Sequence, residues 1–277
     1  MPHIPQEIID AILDDLAGCL ANPADWKACA LVSKSFRPYS QSVLFRSITI
    51  DTEDHSLWRL HTVLEDNPHL GTHVRELVLS ITPRDLPDIL QPLIMDTLAR
   101  FTGVTSCIWM EHLLPSESTS ETLRRRLYQF LRLPSLVNVA VYGADRVLVH
   151  FLASCEQLKF LAVNMPSHYN KDAAILPRVG AISTTRSTPA SGLLEALVVN
   201  QSYIIDLVHS LTSQSSRLRV SRLRKLTFFR RYGDLNEEKK AFQQALDLCA
   251  ESLEELTVGK HRHPSPFCYR TSQPNVC

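Results

Sequence analysis

The sequence predicts an α/β chain: a small helical module at the N-terminus, then an array with parallel strands on one face and helices on the other. Three observations carry that expectation. A short apolar outline recurs about every 30 residues through most of the chain. The stretches between recurrences carry apolar residues at helical intervals. The first 46 residues precede the regular recurrence and carry a different arrangement of apolar clusters.

Residues 4–20 read as an amphipathic helix entered through Pro5, a residue suited to a first turn because it has no N–H to leave unpaired. Ile8, Ile9, Ile12, Leu13, Leu16 and Leu20 form a stripe wider than a helix of this length needs to face one core. Glu7, Asp10, Asp14 and Asp15 lie on the same helix, with no Lys or Arg before Lys27. Acids near its start also favour the positive end of the helix dipole. A second apolar cluster follows, from Trp26 through Ala28, Cys29, Ala30, Leu31 and Val32 to Phe36, Tyr39, Leu44 and Phe45.

The recurring outline, L-x-x-L-x-L in form, begins at Val74, Val104, Leu136, Leu158, Leu194, Leu223 and Leu253, and Leu44–Ile50 is a candidate eighth member. Each segment is too short for a helix and alternates in its second half, as a strand does. Between the segments, four stripes recur at helical spacing: Leu57, Leu60 and Leu64; Leu123, Leu127, Phe130 and Leu131; Ile204, Leu207, Val208 and Leu211; and Phe242, Leu246 and Cys249 after a cap at Asn236. One strand–helix unit cannot bury its own stripe, so neighbours must stack to make a core. The alternative is an ordinary α/β domain whose strands merely look alike, but an open sheet sets no fixed period. The pattern lapses between Met165 and Gly192, where Ser, Thr, Pro and Gly cluster, which predicts a loop insertion.

Two resemblances follow. Ile4-Pro5-x-Glu7-Ile8-Ile9-x-x-Ile12, then Cys29-Ala30-Leu31-Val32-Ser33-Lys34-Ser35-Phe36 with the trailing Pro38 and Leu44-Phe45, resembles an F-box in the form common in fungal proteins. The match covers residues 3–46. The region after it resembles irregular leucine-rich repeats. Asn stands just after the strand only at Asn164 and Asn200; Ser80, Met110, Phe229 and Gly259 lie nearby in other units, so cohesion would rest on hydrophobic stacking. The F-box resemblance implies a three-helix module that docks on the adaptor subunit of a cullin–RING ubiquitin ligase. Carried over by position, the adaptor-facing residues would be Ile4, Pro5, Ile8, Ile12, Leu31, Val32, Ser33 and Phe36. Two departures stand out: Ile4 replaces the usual leucine, and Phe36 stands where many relatives have Trp. The two resemblances together imply a substrate-recruiting subunit of an SCF-type ligase, cytoplasmic or nuclear. Its partners would be the adaptor, through it the cullin, and a protein target on the solenoid. The domains would be the module at 1–46, the solenoid at 47–260 with an insertion near 165–192, and a poorly ordered tail at 261–277. An F-box-like scaffold acting outside any ligase, or an enzyme with an unrecognised site, are the alternatives.

Composition narrows the field. The chain has 29 Lys+Arg and 29 Asp+Glu, a balance that disfavours a nucleic-acid partner. Only 8 of 277 residues are Gly, which disfavours phosphate-cradling turns. No run approaches the ~18 apolar residues of a membrane span, and no secretory signal is visible at the N-terminus. Seven cysteines without framework spacing fit reduced thiols. Cys107, Cys155 and Cys249 sit in apolar settings and read as core. Catalytic loops and elbows such as G-x-S-x-G, G-x-x-x-x-G-K-[ST] and H-E-x-x-H do not occur. His261, His263, Cys268 and Cys277 match no zinc spacing, so catalytic, cofactor and metal residues are all expected to be absent.

One charge feature remains. Arg217, Arg219, Arg222, Arg224, Lys225, Arg230 and Arg231 fall in 15 residues without an acid. They form either a solvated face beside a strand, offset by the acidic stretch 234–255, or a patch for an acidic or phosphorylated partner. After Gly259 no capping helix is legible, so either the tail lies over the last repeat or the array is a shortened form of a longer one.

Overall fold

Three helices open the chain, α1 (Gln6–Ala17), α2 (Pro23–Val32) and α3 (Arg37–Leu44). The computed structural model describes residues 5–17, 22–52, 56–81, 90–111, 121–142, 146–164, 193–213, 216, 218–230 and 236–260. Asn22 caps α2, its side-chain oxygen accepting the Ala24 N–H at 3.0 Å, and Pro23 supplies the first helical position. Ile9, Leu13 and Trp26 are buried together, with Cys29, Phe36, Tyr39, Val43 and Leu44 packed around them.

Among the described residues eight strands follow: β1 (Ser47–Asp51), β2 (Glu76–Ile81), β3 (Ser106–Glu111), β4 (Asn138–Tyr142), β5 (Phe160–Asn164), β6 (Ala196–Asn200), β7 (Lys225–Arg230) and β8 (Glu255–Lys260). They form one all-parallel sheet in strict chain order. The helices between them are α4 (Ser56–Asp66), α5 (Leu90–Ala99), α6 (Glu121–Leu131), α7 (Arg146–Leu152), α8 (Gln201–Thr212) and α9 (Asn236–Cys249). A sheet without a reversal of strand order has no topological switch point, the place where open α/β sheets bind their ligands.

The repeat outline and the sheet register coincide. Glu76, Ser106, Asn138, Phe160, Ala196, Lys225 and Glu255 lie side by side, each the third residue of its segment. Leu44–Ile50, the candidate eighth segment, contributes β1. The segment-opening residues Val74, Val104, Leu136, Leu158 and Leu194 are completely buried. From β2 to β7 the second apolar position (Leu77, Cys107, Val139, Leu161, Leu197, Leu226) and the third (Leu79, Trp109, Val141, Val163, Val199, Phe228) point into the same core as the helices. Each fully buried leucine or valine there contributes about 1.5–3 kcal/mol, so cohesion along the array comes from stacked side chains. Ring pairs add to the packing: Tyr128 of α6 stacks on Phe151 of α7 at 4.5 Å, and Phe228 of β7 on Phe242 of α9 at 4.3 Å. The opposite face of the sheet carries a smaller cluster of Ala140, Phe160 and Ala162, with no helix residue in it.

The module and the sheet share one backbone path. Only Phe45 and Arg46 separate α3 from β1, and the Arg46 carbonyl accepts the N–H groups of both Arg75 and Glu76 at 2.9 Å. Helix α3 also lies against the 3-10 turn Pro68–His73 that leads into β2.

Candidate docking face on the N-terminal helices

The wide stripe of α1 divides into two rows one residue apart. Ile9 and Leu13 turn inward to Trp26. Ile8 and Ile12 turn outward, 52% and 49% exposed, and Leu16 continues their row. Such i, i+4 spacing keeps each row on one side of the helix. At the end of α2, Leu31 and Val32 are 84% and 76% exposed. Isolated exposed apolar residues are ordinary, but five large ones on two short helices are not.

Hydrogen bonds bring the two groups to one end of the module. Gln6 donates from Nε2 to the Ser35 carbonyl at 3.0 Å, which ties the start of α1 to the turn just after Val32. Ser33 ends α2 in extended backbone, and its Oγ accepts the Ser35 N–H at 3.2 Å, fixing that turn. Across the module, the Tyr39 hydroxyl donates to Asp14 Oδ1. Burial, and then that bond to Asp14, push the Tyr39 phenol up to about 12. Trp26 and Tyr39 rings lie 5.8 Å apart beneath it.

Of the residues assigned to adaptor contact by resemblance, Pro5, Ile8, Ile12, Leu31 and Val32 are exposed and Ser33 is half-buried. Phe36 is half-buried too, and it packs against the module's own core. Ile4 lies outside the described residues. Leu16 belongs with the exposed set, and its i+4 spacing from Ile12 was the available signal. The module also exposes charges: Glu7, Asp14 and Asp15 on α1, and Lys27, Lys34 and Arg37 on and after α2. An apolar centre flanked by exposed charges has the make-up of a protein-binding surface.

The basic stretch has a different character. Arg224 donates from Nε and Nη2 to the two carboxylate oxygens of Glu254, both at 2.7 Å, and Lys225 meets Glu255 at 2.9 Å. The guanidinium holds the Glu254 carboxyl below the usual carboxylate range. The same cross-strand pairing recurs as Arg46–Glu76 at 4.0 Å and Lys159–Glu195 at 3.7 Å. Two of that stretch's seven cations, Arg224 and Lys225, are thus paired with acids of the next repeat. Arg219 and Arg222 are exposed, and Arg217 lies outside the described residues.

Cys107, Cys155 and Cys249 are buried, as their apolar settings predicted. Burial pushes the Cys107 thiol up to about 12 and that of Cys155 to about 11. Both thus stay protonated and make poor nucleophiles. Asn200 is buried at the end of β6, the place where leucine-rich repeats keep Asn. Among the described residues no three His, Cys, Asp or Glu side chains converge as a metal site, and no helix is long and apolar enough to cross a membrane. His261, His263, Cys268 and Cys277, like the insertion at 165–192 and the tail, lie outside the described residues. No protein-family model matches this chain, and no curated protein matches it.

Proposed function

We propose that this chain is a substrate-recruiting subunit of a cullin–RING ubiquitin ligase, with an F-box at residues 1–46 and an irregular leucine-rich-repeat-like solenoid after it. The observation that carries this reading is the exposed set Ile8, Ile12, Leu31 and Val32. It sits on a module whose own core is already made by Ile9, Leu13 and Trp26. These are positions that the F-box resemblance assigns to the adaptor. The chain-ordered parallel sheet with helices on one face supports the solenoid half of the reading. The chain itself performs no bond chemistry here. It acts by proximity, one end held by the adaptor and the array presenting a target to the ubiquitin-charged enzyme.

Co-expression with the ligase adaptor and affinity capture tests this directly. The wild-type chain should retain the adaptor and the cullin with it, while Ile8→Asp and Leu31→Asp lose both and keep the wild-type circular dichroism spectrum. Adaptor capture by both variants would refute the docking assignment. Adaptor without cullin would place the chain outside a ligase.

A further inference from the structure

Among the described residues the array ends on an apolar edge. From β2 to β7 the two core-facing strand positions are never more than 6% exposed, whereas Leu256 and Val258, which hold those positions in β8, are 46% and 57% exposed. Leu248 on α9 is exposed as well. Among the described residues β8 pairs only with β7. The Glu255 N–H donates to the Arg224 carbonyl at 2.9 Å. By the alternation of a parallel ladder, Leu256 and Val258 turn their N–H and C=O groups to the open side. Apolar side chains and unmatched edge groups therefore occur on the same residues, the combination that templates strand addition.

The strand is complementary to itself. When Glu255–Lys260 runs antiparallel to its own copy about a two-fold axis at Thr257, Leu256 falls opposite Val258 twice, both in hydrogen-bonding positions. Glu255 falls opposite Gly259, so no like charges meet, and position 254 falls opposite 260, an acid facing a base. An axis normal to the sheet keeps all four apolar side chains on the helix side, where the α9 helices of the two copies flank them. We infer that β8 is a dimerisation edge, joining two copies of this chain through one continuous sheet. The contact is isologous, so it closes at two copies and does not propagate.

Sedimentation equilibrium of the full chain tests this. The expected species has twice the 31.3 kDa mass of one chain. Val258→Lys, at a side chain already largely in water, should give a monomer with an unchanged circular dichroism spectrum. Residues opposite one another in a non-hydrogen-bonded antiparallel pair have Cα atoms about 4.5 Å apart, within disulfide reach. Thr257→Cys should therefore oxidise to an intermolecular disulfide, mapped to residue 257 of both copies by mass spectrometry. A wild-type monomer throughout the micromolar range overturns the inference and assigns the edge to some other cover. Open-ended polymers overturn it in favour of β8-to-β1 contact. A dimer that survives Val258→Lys, or that fails to cross-link at residue 257, overturns it as well.

Discussion

Two leucines of the N-terminal helices separate folding from the proposed docking. Leu13 is fully buried among Ile9 and Trp26, whereas Leu31 keeps 84% of its surface in water. Truncating Leu13 to Ala removes that burial and leaves a cavity, a loss of about 2–5 kcal/mol. Among the described residues the module core has three buried apolar side chains, so little remains to collapse into the gap. Truncating Leu31 to Ala takes away at most about 0.5 kcal/mol, because so small a share of its side chain is buried. The order inverts for docking. Covering Leu31 in an adaptor interface contributes up to about 2 kcal/mol, so Leu31→Ala should weaken binding about 30-fold. Hydrogen exchange over residues 6–32 reads the first effect, and calorimetric titration with the adaptor reads the second. The reasoning fails if Leu31→Ala loosens α1 and α2 as much as Leu13→Ala does. It fails equally if Leu31→Ala binds the adaptor with wild-type affinity.

Three further outcomes follow from the sheet and its helices. Asp96 accepts from Arg100 and sits 2.8 Å from His61, and these contacts, Arg100 first, hold its pKa below the usual value. A depressed folded-state pKa stabilises above the unfolded value and stops doing so as pH falls through the folded one. Denaturation between pH 5 and pH 2 should thus show the wild type losing more stability than Asp96→Asn; at a half-exposed site the difference stays well under ~1 kcal/mol. A Cβ on Gly71 would lie 2.5 Å from the Arg100 carbonyl oxygen, which belongs to backbone and cannot swing aside. Gly71→Ala should lower stability by about 1–3 kcal/mol in a urea titration. Finally, Glu254→Ala with Glu255→Ala releases Arg224 and Lys225 from their pairs. That double variant should bind heparin more tightly than a charge-matched control, Glu65→Ala with Asp66→Ala on α4, and equal retention would show the released cations do not act as a patch.

The strands are legible in the sequence because the buried opening residue and the core-facing pair of each repeat are the same residues that make the apolar outline. Val74, Leu77 and Leu79 act in one repeat as Leu194, Leu197 and Val199 do in another. Helices α5 and α7 are not legible by the same means. Residues 90–99 (LQPLIMDTLA) are apolar on most sides and hold Pro92, and α7 spans 7 residues, too few for a period to show. At the docking face the sequence stripe contains Ile8 and Ile9 alike. Only the packing of Trp26 from α2 against Ile9 and Leu13 decides that Ile9 faces inward. Phe36 has the same ambiguity, and the module core receives much of its side chain. The ion pairs had a signal that composition hides. Arg224 and Glu254 stand 30 residues apart, one repeat period, so a charge in one unit is answered at the same place in the next.

The junction of two residues between α3 and β1 turns the sheet into a ruler. With two residues between α3 and the first strand, the distance measured along the sheet to β8 grows with strand count. Neighbouring strands lie about 4.8 Å apart, so seven steps set β8 about 34 Å from β1. A relative that gained or lost one repeat would shift its far end by about one such step, with no intermediate setting available. Reach in such a chain is inherited in whole units.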